Sequence, residues 1–150
     1  MLAANRLIRK NERNAETPFD SITLDSGARY CRRIRLTSDG GRDVMIDLQQ
    51  AAFMHHGDAL EVEDGLIEVR AAHEPLLEIT ANGAFQLARL AWHLGNRHTE
   101  VEIVGGKLRM RRDRVLEAML IGLGAVLAPV EAPFEPERGA YRHGEGGGRG

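Results

Sequence analysis

The spacing of apolar positions changes near the middle of the chain. From Phe19 to about Ala72 they alternate with polar ones: Ile22 with Leu24, Ile34 with Leu36, Val44 with Ile46 and Leu48, Leu60 with Val62, Ile67 with Val69. Strict alternation over short runs marks strands with one buried face. Asp39-Gly40-Gly41 and Asp64-Gly65 fall between these runs, where a tight connection needs residues that tolerate positive φ. Five or six short strands without a segment of helical period predict a small all-β domain. Residues 1–17 are polar and basic, with Leu7 and Ile8 as an apolar pair, and read as a frayed arm or a short edge element.

After Pro75, which disfavours helix at the residue before it, the pattern is different. Leu76 to Thr80 is strand-like. Asn82-Gly83 opens a helix from Ala84 to His93, with Phe85, Ala88 and Trp92 on one face and Gly95-Asn96 as the stop. Val101 and Ile103, a Gly105-Gly106 turn, then Leu108 and Met110 make a hairpin. Asp113 begins a second helix, with Val115, Leu116, Met119, Leu120 and Leu123 at helical spacing, closed by Gly122 and Gly124. Val126 to Val130 is a last strand. The order β-α-β-β-α-β is the ferredoxin-like arrangement.

The chain is thus expected to be α+β: a small N-terminal β-domain at 1–73, then a ferredoxin-like βαββαβ domain at 74–141. Residues 142–150 hold five glycines in nine positions. They bury too little apolar surface to offset ordering entropy and are expected to be a disordered Gly-rich tail.

Composition narrows what such a chain can do. A net charge of −2 gives no global pull toward nucleic acid or anionic membrane. The predicted strands 101–104 and 107–111 carry no aromatic residue on which bases could stack. The one cysteine, Cys31, cannot close an intramolecular disulfide, although Arg29, Arg32, Arg33 and Arg35 around it could lower a thiol pKa. No apolar run approaches the roughly 20 residues of a membrane span, and the first residues lack the order of a secretory signal. A cytoplasmic protein is expected. Phosphate-loop, hydrolase-elbow and zinc-protease motifs do not occur, so an enzyme is not.

Six histidines remain as candidate ligands. His55 and His56 are adjacent and read as a solvated pair. His73 lies between the domains, and His93 falls in the last turn of the first helix, where its cationic form suits the helix dipole. His98 lies past the predicted helix stop, at a junction that can aim a side chain outward from rigid backbone. His93 and His98 are five apart, not the four that put two ligands on one helix face. His143 is in the tail.

The segment His93-Leu94-Gly95-Asn96-Arg97-His98, then Asp113-x-Val115-Leu116, then Pro133-Phe134-Glu135-Pro136-Glu137-x-Gly139-Ala140-Tyr141 closely resembles the UreE family, the urease accessory nickel chaperones. The N-terminal run Arg35-Leu36-Thr37 followed by Asp39-Gly40-Gly41-Arg42 also looks like that family's first domain. The resemblance implies an N-terminal domain that contacts partner proteins and a ferredoxin-like metal-binding domain. It further implies a cytoplasmic homodimer delivering Ni(II) to the urease accessory GTPase and the urease apoprotein complex. His98, one from each protomer, would be the central metal ligand, with His143 as an additional one. Zn(II) or Cu(II) is expected to substitute in vitro. Arg112 and Arg114 stand where some members have histidines. They cannot ligate, and they would repel a dication if close to it. About one nickel per dimer is the expected stoichiometry. The alternative is a non-metal adaptor in which the β-domain recruits partners and His98 is structural.

Overall fold

A computed structural model of the chain describes residues 1–138. The fold is α+β, in two compact units, Met1–Ala72 and His73–Arg138.

The first unit is built from β1 (Leu2–Ala4), β2 (Arg6–Ile8), β3 (Asp20–Leu24), β4 (Tyr30–Thr37), β5 (Asp43–Phe53), β6 (Ala59–Val62) and β7 (Gly65–Ala71). They form two sheets, ordered β1-β5-β4 and β2-β6-β7-β3. The alternating residues of both, among them Ile22, Val44, Ile46, Leu60, Ile67 and Val69, close one shared core. Two sheets each apolar on one face bury those faces against each other. Asp20 pins the turn after β4: its carboxylate accepts from Ser38 Oγ at 2.5 Å and Arg42 Nη1 at 2.9 Å. The Ser38 hydroxyl is the chief cause that holds its carboxyl down at about 2.

Of the two readings of the first residues, the short edge element holds and the frayed arm does not: β1 and β2 each lie at the edge of a sheet. β1 runs parallel to β5 with Ala4 fully buried, and β2 pairs antiparallel with β6. Strands of three residues are too short to show a period, and long-range pairing leaves no local mark. Arg9 and Arg13, just past β2, are tied to Asp58 at 2.9 Å and to Glu68 at 3.1 Å. The arginine run also divides. Arg32, Arg33 and Arg35 are exposed on β4 beside Asp47 and Asp43. Arg29 is fully buried, its guanidinium donating to the carbonyls of Leu24 and Met54 and lying 5.0 Å from the Phe53 ring centre. Burial pushes the half-buried Cys31 thiol up, the opposite of the activation its cationic neighbours suggest.

The second unit follows the order β8 (His73–Thr80), α1 (Ala84–Asn96), β9 (Glu102–Val104), β10 (Lys107–Arg111), α2 (Arg114–Gly122) and β11 (Val126–Pro133). Its sheet order, β11-β8-β10-β9, is that of a ferredoxin-like fold, with every neighbouring pair antiparallel. β8 and β11 are longer than the alternation suggests. Pro75 fits because at that level β8 is paired with β11 alone, β10 ending opposite Leu76. Gly105 and Gly106 both take positive φ, as a two-residue connection of primed type requires.

Both helices pack on one sheet face, Leu90, Leu94 and Leu120 closing a core with Leu77, Ile79, Leu108 and Met110. The sequence-predicted α1 face is the outer one. Phe85 is 79% and Trp92 63% exposed, while Leu87, Leu90, Ala91 and Leu94 point inward. Val115, 74% exposed, is likewise outside the α2 core stripe of Leu116, Met119 and Leu120.

Candidate metal centre

Two loop-facing helix ends make the site. The last turn of α1 includes Gly95 and Asn96, so the sequence-predicted stop lies within the helix. Termination comes later. The His98 N–H donates to the Gly95 carbonyl at 3.0 Å and the Thr99 N–H to the Leu94 carbonyl at 3.1 Å. This nested pair is the Schellman motif, which needs a left-handed residue at its turning point. That residue is His98, with φ +59, alone among the described non-glycine residues in having a positive φ.

α2 starts beside it. Asp113 caps the helix, its carboxylate accepting from the Leu116 N–H at 3.0 Å, while the Asp113 N–H donates to Glu117 at 3.0 Å. The two helices are tied to each other as well: Arg97 Nε contacts Met119 Sδ at 3.1 Å, and Gln86 Nε2 donates to the Leu123 carbonyl at 3.0 Å. Between the end of α1 and the start of α2 opens a cleft of about 260 Å³, lined by His98, Glu100, Met110, Arg111, Arg112 and Asp113 among others. His98 is exposed at its edge.

The cleft's arginines are not loose charges. Arg112 makes a bidentate pair with Glu117, at 2.9 and 3.0 Å. That pair holds the Glu117 carboxyl below its usual range and raises Arg112. Arg111 Nη1 donates to Glu100 at 2.6 Å. The repulsion of a dication by Arg112 is therefore weaker than the sequence alone suggests, because Glu117 offsets its charge. Arg114 is the exposed first residue of α2.

Of the histidines in the same unit, His73 and His93 do not line the cleft. His93 is half-buried in the last turn of α1, its ring edge-on to Trp92 at 5.1 Å. His73 is the exposed first residue of β8. His56 is exposed and His55 half-buried, and each also makes a contact within the fold. The His55 ring packs edge-on to Phe53 at 5.0 Å, and His56 Nδ1 accepts the Ala71 N–H at 3.1 Å. His143 and the predicted tail 142–150 lie outside the described residues. Among the described residues no three His, Cys, Asp or Glu side chains form a metal-holding group. The chain thus offers one exposed imidazole at a hydrogen-bonded corner beside the cleft.

Comparison with known proteins fixes the lineage. The model of the UreE urease accessory protein N-terminal domain matches residues 4–72, and that of its C-terminal domain matches residues 74–150. The chain belongs to the UreE family. A UreE urease accessory protein of Azorhizobium caulinodans is 48% identical across 100% of this chain and 73% of its own length. Those of Bradyrhizobium sp. strain ORS 278 and Beijerinckia indica are 50% and 51% identical, over 94% and 84% of this chain and 67% and 73% of theirs. These UreE proteins are named as accessory proteins, not as enzymes. No helix among the described residues of this UreE-family chain is long and apolar enough to cross a membrane.

Proposed function

We propose that this chain is a cytoplasmic nickel metallochaperone: it binds Ni(II) through His98 at a homodimer interface and donates it to the urease assembly complex, including the accessory GTPase. The observation that carries the reading is the histidine at the left-handed position of the α1 terminus. A non-glycine residue there costs about 1 kcal/mol, and strain of this kind is kept where a side chain is needed at a fixed place. An exposed imidazole on rigid backbone beside an open cleft is suited to ligation.

One imidazole holds a dication weakly. A two-fold partner would supply a second His98, and His143 of the tail could add a further donor. Pairing is favoured by the outer faces of the helices, where Phe85, Trp92 and Val115 leave apolar side chains exposed. Imidazole donors suit Ni(II), and Zn(II) or Cu(II) would compete for them. A site of few protein donors with open positions captures metal and can release it, which a carrier requires.

The test is a calorimetric titration of the full chain with Ni(II). Replacing His98 by Ala should remove tight binding while the circular dichroism spectrum stays native. Native stoichiometry in that variant contradicts the proposal.

A further inference from the structure

In the first unit one buried acid ties two turns together. Asp58 is 2% exposed. One of its carboxylate oxygens accepts from the Lys10 N–H, the other from the His55 N–H and from Arg9 Nη1, all at 2.9 Å. Burying a carboxylate is costly unless donors surround it, and these three hold Arg9 and Lys10 against the turn from His55 to Asp58. Gly57 completes that turn with φ +94. A Cβ there would come within 2.7 Å of Lys10 Cδ, so the lysine stem lies across the turn. Between the two walls is a cleft of about 560 Å³, lined by Arg9, Lys10, Asn11, His55, His56 and Asp58.

The lining is rich in donors. Its carboxylate, Asp58, is taken up by the protein's own N–H groups. Arg9 spends Nη1 on Asp58 and on the Phe53 carbonyl at 2.7 Å, and its side chain is still 40% exposed. His56 Nδ1 accepts the Ala71 N–H at 3.1 Å. A ring nitrogen that accepts carries no proton, so Nε2 is the donor of that imidazole. Lys10 decides the charge. Asp58 offsets Arg9, whereas Lys10 meets no carboxylate among the described residues. We propose that this cleft binds a small phosphate monoester, with Arg9, Lys10 and Asn11 donating to the phosphate oxygens. Three terminal oxygens that accept suit three donor side chains better than the two of a carboxylate do. The cleft has the size of sites for small organic molecules, roughly 300–1,000 Å³, which leaves space for the body of the ester. The site belongs to the first unit and does not depend on the reading of His98.

The test is a titration of the isotope-labelled full chain with phenyl phosphate, followed by amide resonances. The amides of Lys10, Asn11 and the turn from His55 to Asp58 should shift and saturate, while sodium chloride at equal ionic strength should not reproduce the effect. Benzoate, the same ring with a carboxylate head, should bind more weakly. Lys10→Gln should weaken phenyl phosphate binding about tenfold and Asn11→Ala about threefold, as expected for one charged and one neutral hydrogen bond. Both side chains are exposed, and unshifted amides elsewhere would show that the variants are folded. Lys107, paired with Glu78 at 3.3 Å in the second unit, is the control, and Lys107→Gln should leave binding unchanged. Shifts that do not saturate, benzoate binding as tightly as phenyl phosphate, or native affinity in either cleft variant overturns the proposal.

Discussion

The two helices of the second unit end in the same hydrogen-bonded motif but with different residues at its turning point. At α2 the Ala125 N–H returns to the Leu120 carbonyl and the Gly124 N–H to that of Ile121, both at 3.0 Å. Gly124 takes the left-handed position at φ +90. At α1 the equivalent bonds surround His98 at φ +59. Glycine suits such a position because it has no Cβ to clash with the backbone. Space reinforces the choice at α2, where a Cβ on Gly124 would come within 3.0 Å of Gln86 Nε2. His98 is exposed and meets no such limit. So the α2 end is occupied as folding stability would have it. The α1 end gives up stability for a side chain, and histidine is among the residues that tolerate that backbone best after glycine.

Substitutions at the two ends should separate these roles. The largest effect is expected for His98→Asn. Asparagine also accepts left-handed backbone, so the urea midpoint should move little, whereas tight Ni(II) binding should be lost if His98 is the ligand proposed. Gly124→Ala should lower unfolding free energy by about 1–2 kcal/mol, measured by urea denaturation, with Ni(II) stoichiometry kept. A neutral Gly124→Ala would mean that the left-handed position carries no penalty here, and the contrast between the helix ends would lose its meaning.

Asp113→Ala should cost about 1 kcal/mol through loss of the α2 cap. It should disturb Ni(II) binding less than His98→Asn does, if the wall of the cleft serves only as scaffold. The smallest effect is that of acid. Glu117 has its carboxyl held low by Arg112, so its contribution is present above the ordinary carboxylate range, near 4.3. That contribution is lost as the pH falls through the lowered value. Amide shifts in the first turn of α2 should therefore change only below the ordinary carboxylate range, and Glu117→Gln should remove the part of that transition due to the Arg112 pair.

Much of this architecture is legible in the sequence because it follows periodicity. Val44, Ile46 and Leu48 alternate and form a strand, and the Gly105-Gly106 turn sits where the hairpin closes. Other features escape for physical reasons. α1 carries two apolar stripes, one through Phe85 and Trp92 and one through Leu90 and Leu94, and helical spacing does not say which faces the sheet. The helix stop escapes because Gly95 is the stronger local signal, whereas the residue that turns the chain is a histidine three positions on. Position 98 draws notice from the sequence through its motif. Its strained backbone, the best physical reason to suspect a function, is visible only in the structure.

The most direct measurement is made on His98→Gly, by urea denaturation and Ni(II) calorimetry on the same preparation. If a histidine is held at a glycine position for the sake of metal, the variant should be more stable by about 1 kcal/mol, with an unchanged denaturant slope and no tight Ni(II) binding. A variant that is no more stable than the native chain, or that still binds Ni(II) with native affinity and stoichiometry, contradicts the account.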